Sequence, residues 1–369
     1  MTSRDPHTDV VDFVVRRDDL RNVAFIERPA PGERDLAPGQ VLLAVDRFAL
    51  TANNVTYAVF GEAMAYWSFF PAAEGFGRVP VWGFADVVRS AHRDLPVGER
   101  VYGYLPMSTH LVVQAERVTD RAFIDATAHR QELPPLYNQY TRVANDPHYR
   151  KDREAEQMLF LPLFMTSFML DDFLADNEHF GARAVVIASA SSKTAIGLAF
   201  LLARNSSCDL IGLTSDANVA FVKGLGCYDR VLPYNGIETL SAGIPAAFVD
   251  MSGNGHVIGA LHRHFQDNLR YSCVVGATHW ERRGGGEELP GPQPTLFFAP
   301  TQIEKRAKQW GPRGLEERFA AAWGPFVESA GRWLSVTESR GRDAVRRVYL
   351  DMVDGRTRPD HGHILSLLD

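Results

Sequence analysis

With 369 residues the chain exceeds the length a single hydrophobic core usually supports, which predicts two domains. Its 45% hydrophobic and 23% charged residues exclude wholesale disorder and fibrous repeats, and a net charge of −6 removes any general attraction for nucleic acid or an anionic membrane. Three widely spaced cysteines, Cys208, Cys227 and Cys273, suit neither a disulfide framework nor a zinc knuckle and read as reduced thiols.

The amino-terminal run MTSRDPHTDVVDF carries acids in place of a signal peptide's apolar stretch, and no later segment offers ~18 consecutive apolar residues; the expectation is a cytoplasmic protein. From Val10 to about Val118, short β-rich runs (VVDFVVRR, NVAFIER, PGQVLLAVDRFAL, VPVWGFADVV, PVGERVYGYL, HLVVQAERV) are punctuated by Pro38-Gly39 and Pro96 to Gly98. This spacing predicts a β-barrel-like domain with no long helix. Residues 123–157 are polar, aromatic-studded and broken by Pro134-Pro135 and Pro147; they read as a surface insertion, either a plain linker or a lid.

Beyond Leu161, strands alternate with helices. PLFMTSFMLDDFLADN, TAIGLAFLLARN, ANVAFVKGLG and HVIGALHRHFQDN read as helices, and ARAVVIASA, DLIGLTS, RVLPY, AAFVDMSG and LRYSCVVGAT as strands. That alternation predicts a doubly wound parallel sheet of the Rossmann type, an α/β fold, with its ligand crevice at the strand carboxyl ends. LEERFAAAWGPFVESAGRWLSV is the clearest later helix, and the tail from Asp343 completes the first domain. The expected division is residues 1–160 as the barrel domain, 161–295 as the nucleotide domain and 296–369 as a return to the first.

The turn after the strand Val185-Val186-Ile187 is Ala188-Ser189-Ala190-Ser191-Ser192-Lys193-Thr194-Ala195, where a Rossmann turn normally carries glycines for close approach to pyrophosphate. Small side chains still permit approach, serine hydroxyls can donate to phosphate, and Lys193 adds a charge; a capped turn with a solvated lysine is the bland alternative. SSKT matches only the end of a P-loop motif, because Ile187 stands where its leading glycine belongs. About twenty residues on, Gly212-Leu213-Thr214-Ser215 replaces the acidic ribose selector. Thr214 and Ser215 suit a 2′-phosphate, favouring NADP(H) over NAD(H). A one-residue shift would bring Asp216 into that position, and Ser215-Asp216 also reads as a simple helix cap.

Together these runs resemble the medium-chain dehydrogenase/reductase superfamily, in particular its zinc-independent quinone and enoyl reductase branches, over most of the chain. The residues that carry the resemblance are PGQVLLAVDRFALTANNVTYAVFG, DLPVGERVYGYLPMSTHLVVQAERV, PLFMTSFMLDDFL, KGLGCYDRVLPY, AAFVDMSGN and LRYSCVVGAT. SASSKTA with TANNVTYA is similar to a subgroup classed as a domain of unknown function, DUF2855. The resemblance implies a GroES-like barrel beside the Rossmann domain and a homodimer. It also implies that Ser191, Ser192, Lys193 and Thr194 hold pyrophosphate, that Ser215 and Tyr234 lie near the ribose phosphate, and that Gly276 and Ala277 border the nicotinamide.

Where zinc-dependent relatives place metal ligands, this chain has Thr51-Ala52-Asn53-Asn54 and Trp82-Gly83-Phe84, so no metal site is expected. His361 and His363 read as solvated residues of a polar tail. Tyr57 is the candidate proton donor and Asn53 and Asn54 candidate carbonyl-orienting groups, against a capped turn with a core tyrosine. The loop AYWSFFPAAEGFGRVPVW, with Tyr66, Trp67, Phe69, Phe70 and Phe76, fits a pocket for a flat or acyl substrate, a subunit contact or simple burial. Two functions follow: an NADP(H)-dependent reductase of an activated double bond, such as an enone, enoyl thioester or quinone, or a non-redox protein on the same scaffold.

Overall fold

The computed structural model describes residues 9–275 and 289–368. Two compact units emerge, one of Met1–Leu159, Val336–Thr357 and His361–Asp369, the other of Phe160–Ser335 and Arg358–Asp360. In the first, β1 (Val10–Arg16), β2 (Val23–Arg28) and β4 (Phe76–Gly77) form a small sheet. The larger sheet is built from β3 (Gln40–Leu50), β5 (Pro80–Ser90), β6 (Arg100–Pro106), β7 (His110–Glu116), β8 (Ala122–Asp125) and β9 (Gln139–Arg142). Their order is β3-β5-β6-β9-β8-β7, and β7 pairs back onto β3, closing a barrel without open edges. One short helix, α1 (Ala52–Val59), follows β3.

Residues 123–157 are more than a surface excursion. They supply β8 and β9, and between those strands lies Arg130, fully buried. Its guanidinium donates to Asp125 Oδ2 at 2.8 Å, Asn138 Oδ1 at 2.9 Å, the Tyr140 hydroxyl at 3.1 Å and the Tyr137 carbonyl at 2.6 Å. It also sits over the rings of Phe69 and Phe70, so a polar segment is organised around a satisfied internal cation. The last four residues of the expected insertion open a helix, α2 (Glu154–Asp176).

The second unit places β10 (Ala184–Ala188), α3 (Lys193–Asn205), β11 (Asp209–Thr214), α4 (Val219–Gly224), β12 (Arg230–Pro233), β13 (Ala246–Asp250), α5 (Gly255–Phe265), β14 (Leu269–Val274) and β15 (Thr295–Leu296) in chain order. The strands are all parallel and lie in the order β12-β11-β10-β13-β14-β15, the doubly wound order whose direction reverses between β10 and β13. Both faces are covered, which explains why Val185, Val186 and Ile187 are apolar without alternation.

Among the described residues, the stretch Lys151–Asp176 is long and apolar enough by composition to cross a membrane, at mean hydropathy 1.5. Met169, Leu170 and Leu174 of α2 nevertheless pack on Val185, Ile187 and Leu198, and Asp172 accepts from Arg306 at 2.6 Å, as in a buried core helix. Arg306 belongs to α6 (Ala299–Ala330), which kinks at Gly311. The tail adds β16 (Ser335–Arg340), α7 (Arg342–Val353) and β17 (His361–Ser366), and β17 pairs antiparallel with β3. His361 and His363 are therefore half-buried strand residues with rings 6.4 Å apart, not members of a solvated tail.

Candidate nucleotide site and the tyrosine cluster of the barrel

Strand β10 ends at Ala188, and the chain turns sharply at Ser189, whose φ of 57° lies in the left-handed region. A serine thus performs the tight turn that a glycine performs elsewhere, at the cost of local strain, where the strand order reverses. Ser189 is held by Tyr234, which hydrogen-bonds its backbone and side chain; burial, with Asp250 nearby, pushes the Tyr234 phenol up to about 12. Ser192 is the amino cap of α3 and accepts from the Ala195 N–H. The first turn of α3 leaves its remaining N–H groups without helical partners, the usual basis of an anion site.

Ser191 receives hydrogen bonds from the Thr214 hydroxyl at 3.2 Å and from Asn218 Nδ2 at 3.1 Å, linking the turn after β10 to the end of β11. Lys193 reaches the Pro359 carbonyl at 3.3 Å; burial lowers its pKa to about 8, opposed in part by Asp360. Thr194 is half-buried and its carbonyl accepts from Ser167 of α2 at 2.8 Å. Ser215 and Asp216 are exposed, and Ser215 caps a short 3-10 turn without a side-chain bond. Gly276 and Ala277 lie outside the described residues.

Sequence reasoning missed the left-handed backbone at Ser189, the part played by Asn218 and the loop after β13. There Asp250, fully buried, accepts from the Ser252 N–H at 2.9 Å, the Ser252 hydroxyl at 2.6 Å and the Gly253 N–H at 2.9 Å. The run Asp250-Met251-Ser252-Gly253-Asn254 carries the Asx-turn signature that would have flagged it.

In the barrel unit, Asn54 is a capping residue. Its Oδ1 accepts from the Thr51 N–H at 2.7 Å and its Nδ2 donates to the Pro80 carbonyl at 2.8 Å, which corrects the expectation that it orients a substrate carbonyl. Asn53 is half-buried and bonds the Tyr57 hydroxyl. Tyr57 lies in a cluster with Tyr66, Phe69, Phe70 and Tyr104, flanked by partly buried Trp82 and Tyr137. Trp82 Nε1 donates to the Tyr57 hydroxyl at 3.4 Å, and burial, reinforced by Tyr66, holds the Tyr57 phenol well above its ordinary pKa. The aromatic loop is therefore covered by the barrel's own rings at Tyr66, Phe69 and Phe70, while Trp67 is buried between Gly61 and Gly77, where added Cβ atoms would strike its indole.

A closed β-barrel and a doubly wound parallel sheet are the fold that this chain shares with several solved structures. The chain belongs to the DUF2855 family, described as proteins of unknown function, whose profile matches residues 48–358. CurA of Vibrio vulnificus is similar in structure at a TM-score of 0.65 and 14% identity, over 96% of this chain and 98% of that one. An NADPH:quinone reductase candidate of Mesorhizobium loti gives 0.59 and 15% over 99% of each chain, and the CurK enoyl reductase 0.55 and 13% over 97% and 99%. At these identities the likenesses establish the fold. No curated protein sequence matches the chain.

Proposed function

We propose that this chain is an NADP(H)-dependent reductase that reduces an activated double bond in an enone, enoyl thioester or quinone-like acceptor without zinc. The observation that carries the reading is the left-handed Ser189 turn at the switch point, joined through Ser191 to Thr214 and Asn218. This donor set fits a dinucleotide. Small residues line the turn, a helix amino end follows it, and the hydroxyl of Thr214 and the amide of Asn218 suit a ribose 2′-phosphate. Relatives in fold support the coenzyme: CurA was crystallised with NADPH, and Etr1p with NADP and crotonyl-CoA.

In this reading Ser191, Ser192, Lys193 and Thr194 hold the pyrophosphate, while Thr214, Ser215 and Tyr234 serve the adenosine ribose. When bound, the coenzyme supplies hydride. Tyr57, a phenol protonated at neutral pH, gives its hydroxyl proton to the atom that becomes negative, and Asn53 orients that hydroxyl. The surrounding rings exclude water. Independence from zinc rests on the residues at the family's ligand positions, Thr51 and Trp82 to Phe84. A homodimer in the cytoplasm completes the proposal, the first from the family resemblance and the second from the three free cysteines.

The test is titration of the full chain with NADPH and NADH, followed by nucleotide fluorescence and thermal shift. NADPH is expected to bind more tightly and to raise the melting temperature. No response to either would leave a non-redox protein on this scaffold.

A further inference from the structure

Tyr228 lies between α4 and β12, and its hydroxyl stands 3.2 Å from the Ala190 carbonyl and 3.3 Å from the Ala195 carbonyl. Those two acceptors flank the run Ser191 to Thr194, so a single side chain spans the proposed pyrophosphate loop. A phenol is protonated at neutral pH, and its hydroxyl is the donor in both contacts. The ring has room because Gly212 of β11 carries no side chain: a Cβ there would stand 3.0 Å from both the ring and the Ala190 Cβ. Ala190 also packs with Val222 and Val231, and its N–H donates to the Leu213 carbonyl at 2.9 Å. Both polar backbone groups of Ala190 are thereby tied to the neighbouring strand and loop.

The Ala190 carbonyl and the Ser191 N–H belong to one trans peptide, whose planarity makes them point in opposite directions. A bond that fixes the carbonyl therefore fixes the N–H as well, and directs it away from Tyr228. Among the described residues that N–H meets no acceptor, although the Ser191 side chain itself accepts from Thr214 and Asn218. An oriented backbone donor of this kind, next to the amino end of α3, is suited to a phosphate oxygen.

We infer that Tyr228 is a positioning residue of the coenzyme site: its hydroxyl, donating to the Ala190 carbonyl, sets the peptide plane that aims the Ser191 N–H at a diphosphate. It acts through Ser191 and not on the phosphate itself. The inference rests on the reductase reading, which supplies the coenzyme to which that diphosphate belongs.

Calorimetric binding of inorganic pyrophosphate and of NADPH to the full chain tests this, in the wild type, in Tyr228→Phe and in Val231→Ala. Tyr228→Phe keeps the ring against Gly212 and removes only the hydroxyl; it is expected to bind both ligands about tenfold more weakly. Val231→Ala loosens the same apolar cluster, and is expected to lower the urea midpoint while keeping both affinities. An unchanged pyrophosphate affinity in Tyr228→Phe, an equal loss of affinity in Val231→Ala, or no pyrophosphate binding by the wild type would each overturn the inference. Pyrophosphate binding that depends on the Tyr228 hydroxyl, with no NADPH binding, would instead sink the reductase reading and leave the positioning role standing.

Discussion

The Lys193 ammonium lies 3.3 Å from the Pro359 carbonyl, at the first residue of the helix that follows the Ser189 turn. The contact solvates a cation that burial otherwise penalises, and it holds the charge beside the proposed pyrophosphate site. Lys193→Ala is expected to weaken NADPH binding by ~1–3 kcal/mol in a fluorescence titration. The coenzyme-free protein should behave oppositely. The folded-state pKa near 8 lies below the ordinary 10.5, so the folded chain binds fewer protons between those values and its stability rises with pH across that window. Lys193→Met should thus be more stable than wild type at neutral pH, with the advantage gone by pH 10.5; an advantage independent of pH would show that the charge is not its cause.

Ser189 pays a conformational cost that glycine does not. With φ at 57°, Ser189→Gly is expected to stabilise the protein by ~1 kcal/mol, read as a higher urea midpoint at constant m-value. Tyr234 keeps its bond to the backbone at this position after the substitution. A lower midpoint would mean that the serine hydroxyl's bond to Tyr234 outweighs the strain.

These residues also mark where the sequence is legible. The strands of the barrel and of the parallel sheet announce themselves, because apolar alternation in Val41 to Val45 and continuous apolar runs such as Val185 to Ile187 follow directly from one-sided and two-sided burial. The strands β8 and β9 do not, since each has only four residues and the chain between them reads as polar. Arg130 is the reason the segment is ordered: an internal guanidinium with four partners anchors a connection that is otherwise exposed or half-buried and so reads as surface. The Ser189 turn was visible as a candidate phosphate loop through its small residues, but its left-handed backbone was not, because only glycine advertises that conformation. Asn218 was hidden because its partnership with Ser191 spans 27 residues. Tyr57 and Asn53 were visible together, whereas Tyr104 and Tyr137 join them only through the closure of the barrel.

Arg130 also yields a sharp stability expectation. It is fully buried, paired with Asp125 at 2.8 Å, and Asp125 is itself buried. Arg130→Met should cost ~3–5 kcal/mol, because it leaves the carboxylate without its counter-charge. The double variant with Asp125→Asn should recover part of that loss in urea unfolding. A cost under ~1 kcal/mol for the single variant would mean that water replaces the guanidinium.

Asp171 on α2 is a buried carboxyl whose pKa is pushed up to about 6, chiefly by burial, with Asp172 adding to it and the Asn205 amide opposing it. Its ordinary value is 3.8, so between 3.8 and about 6 the folded chain binds more protons than the unfolded one. Stability therefore falls as pH rises through that window, and at neutral pH the ionised Asp171 costs ~1–3 kcal/mol. Asp171→Asn keeps an oxygen for the Asn205 amide and removes the charge. It is expected to be more stable than wild type at pH 7, with a gain that shrinks as pH falls from 6 toward 4. Urea unfolding of both proteins at several pH values within that range measures the gain directly, and a gain that stays constant across it would assign the effect to packing.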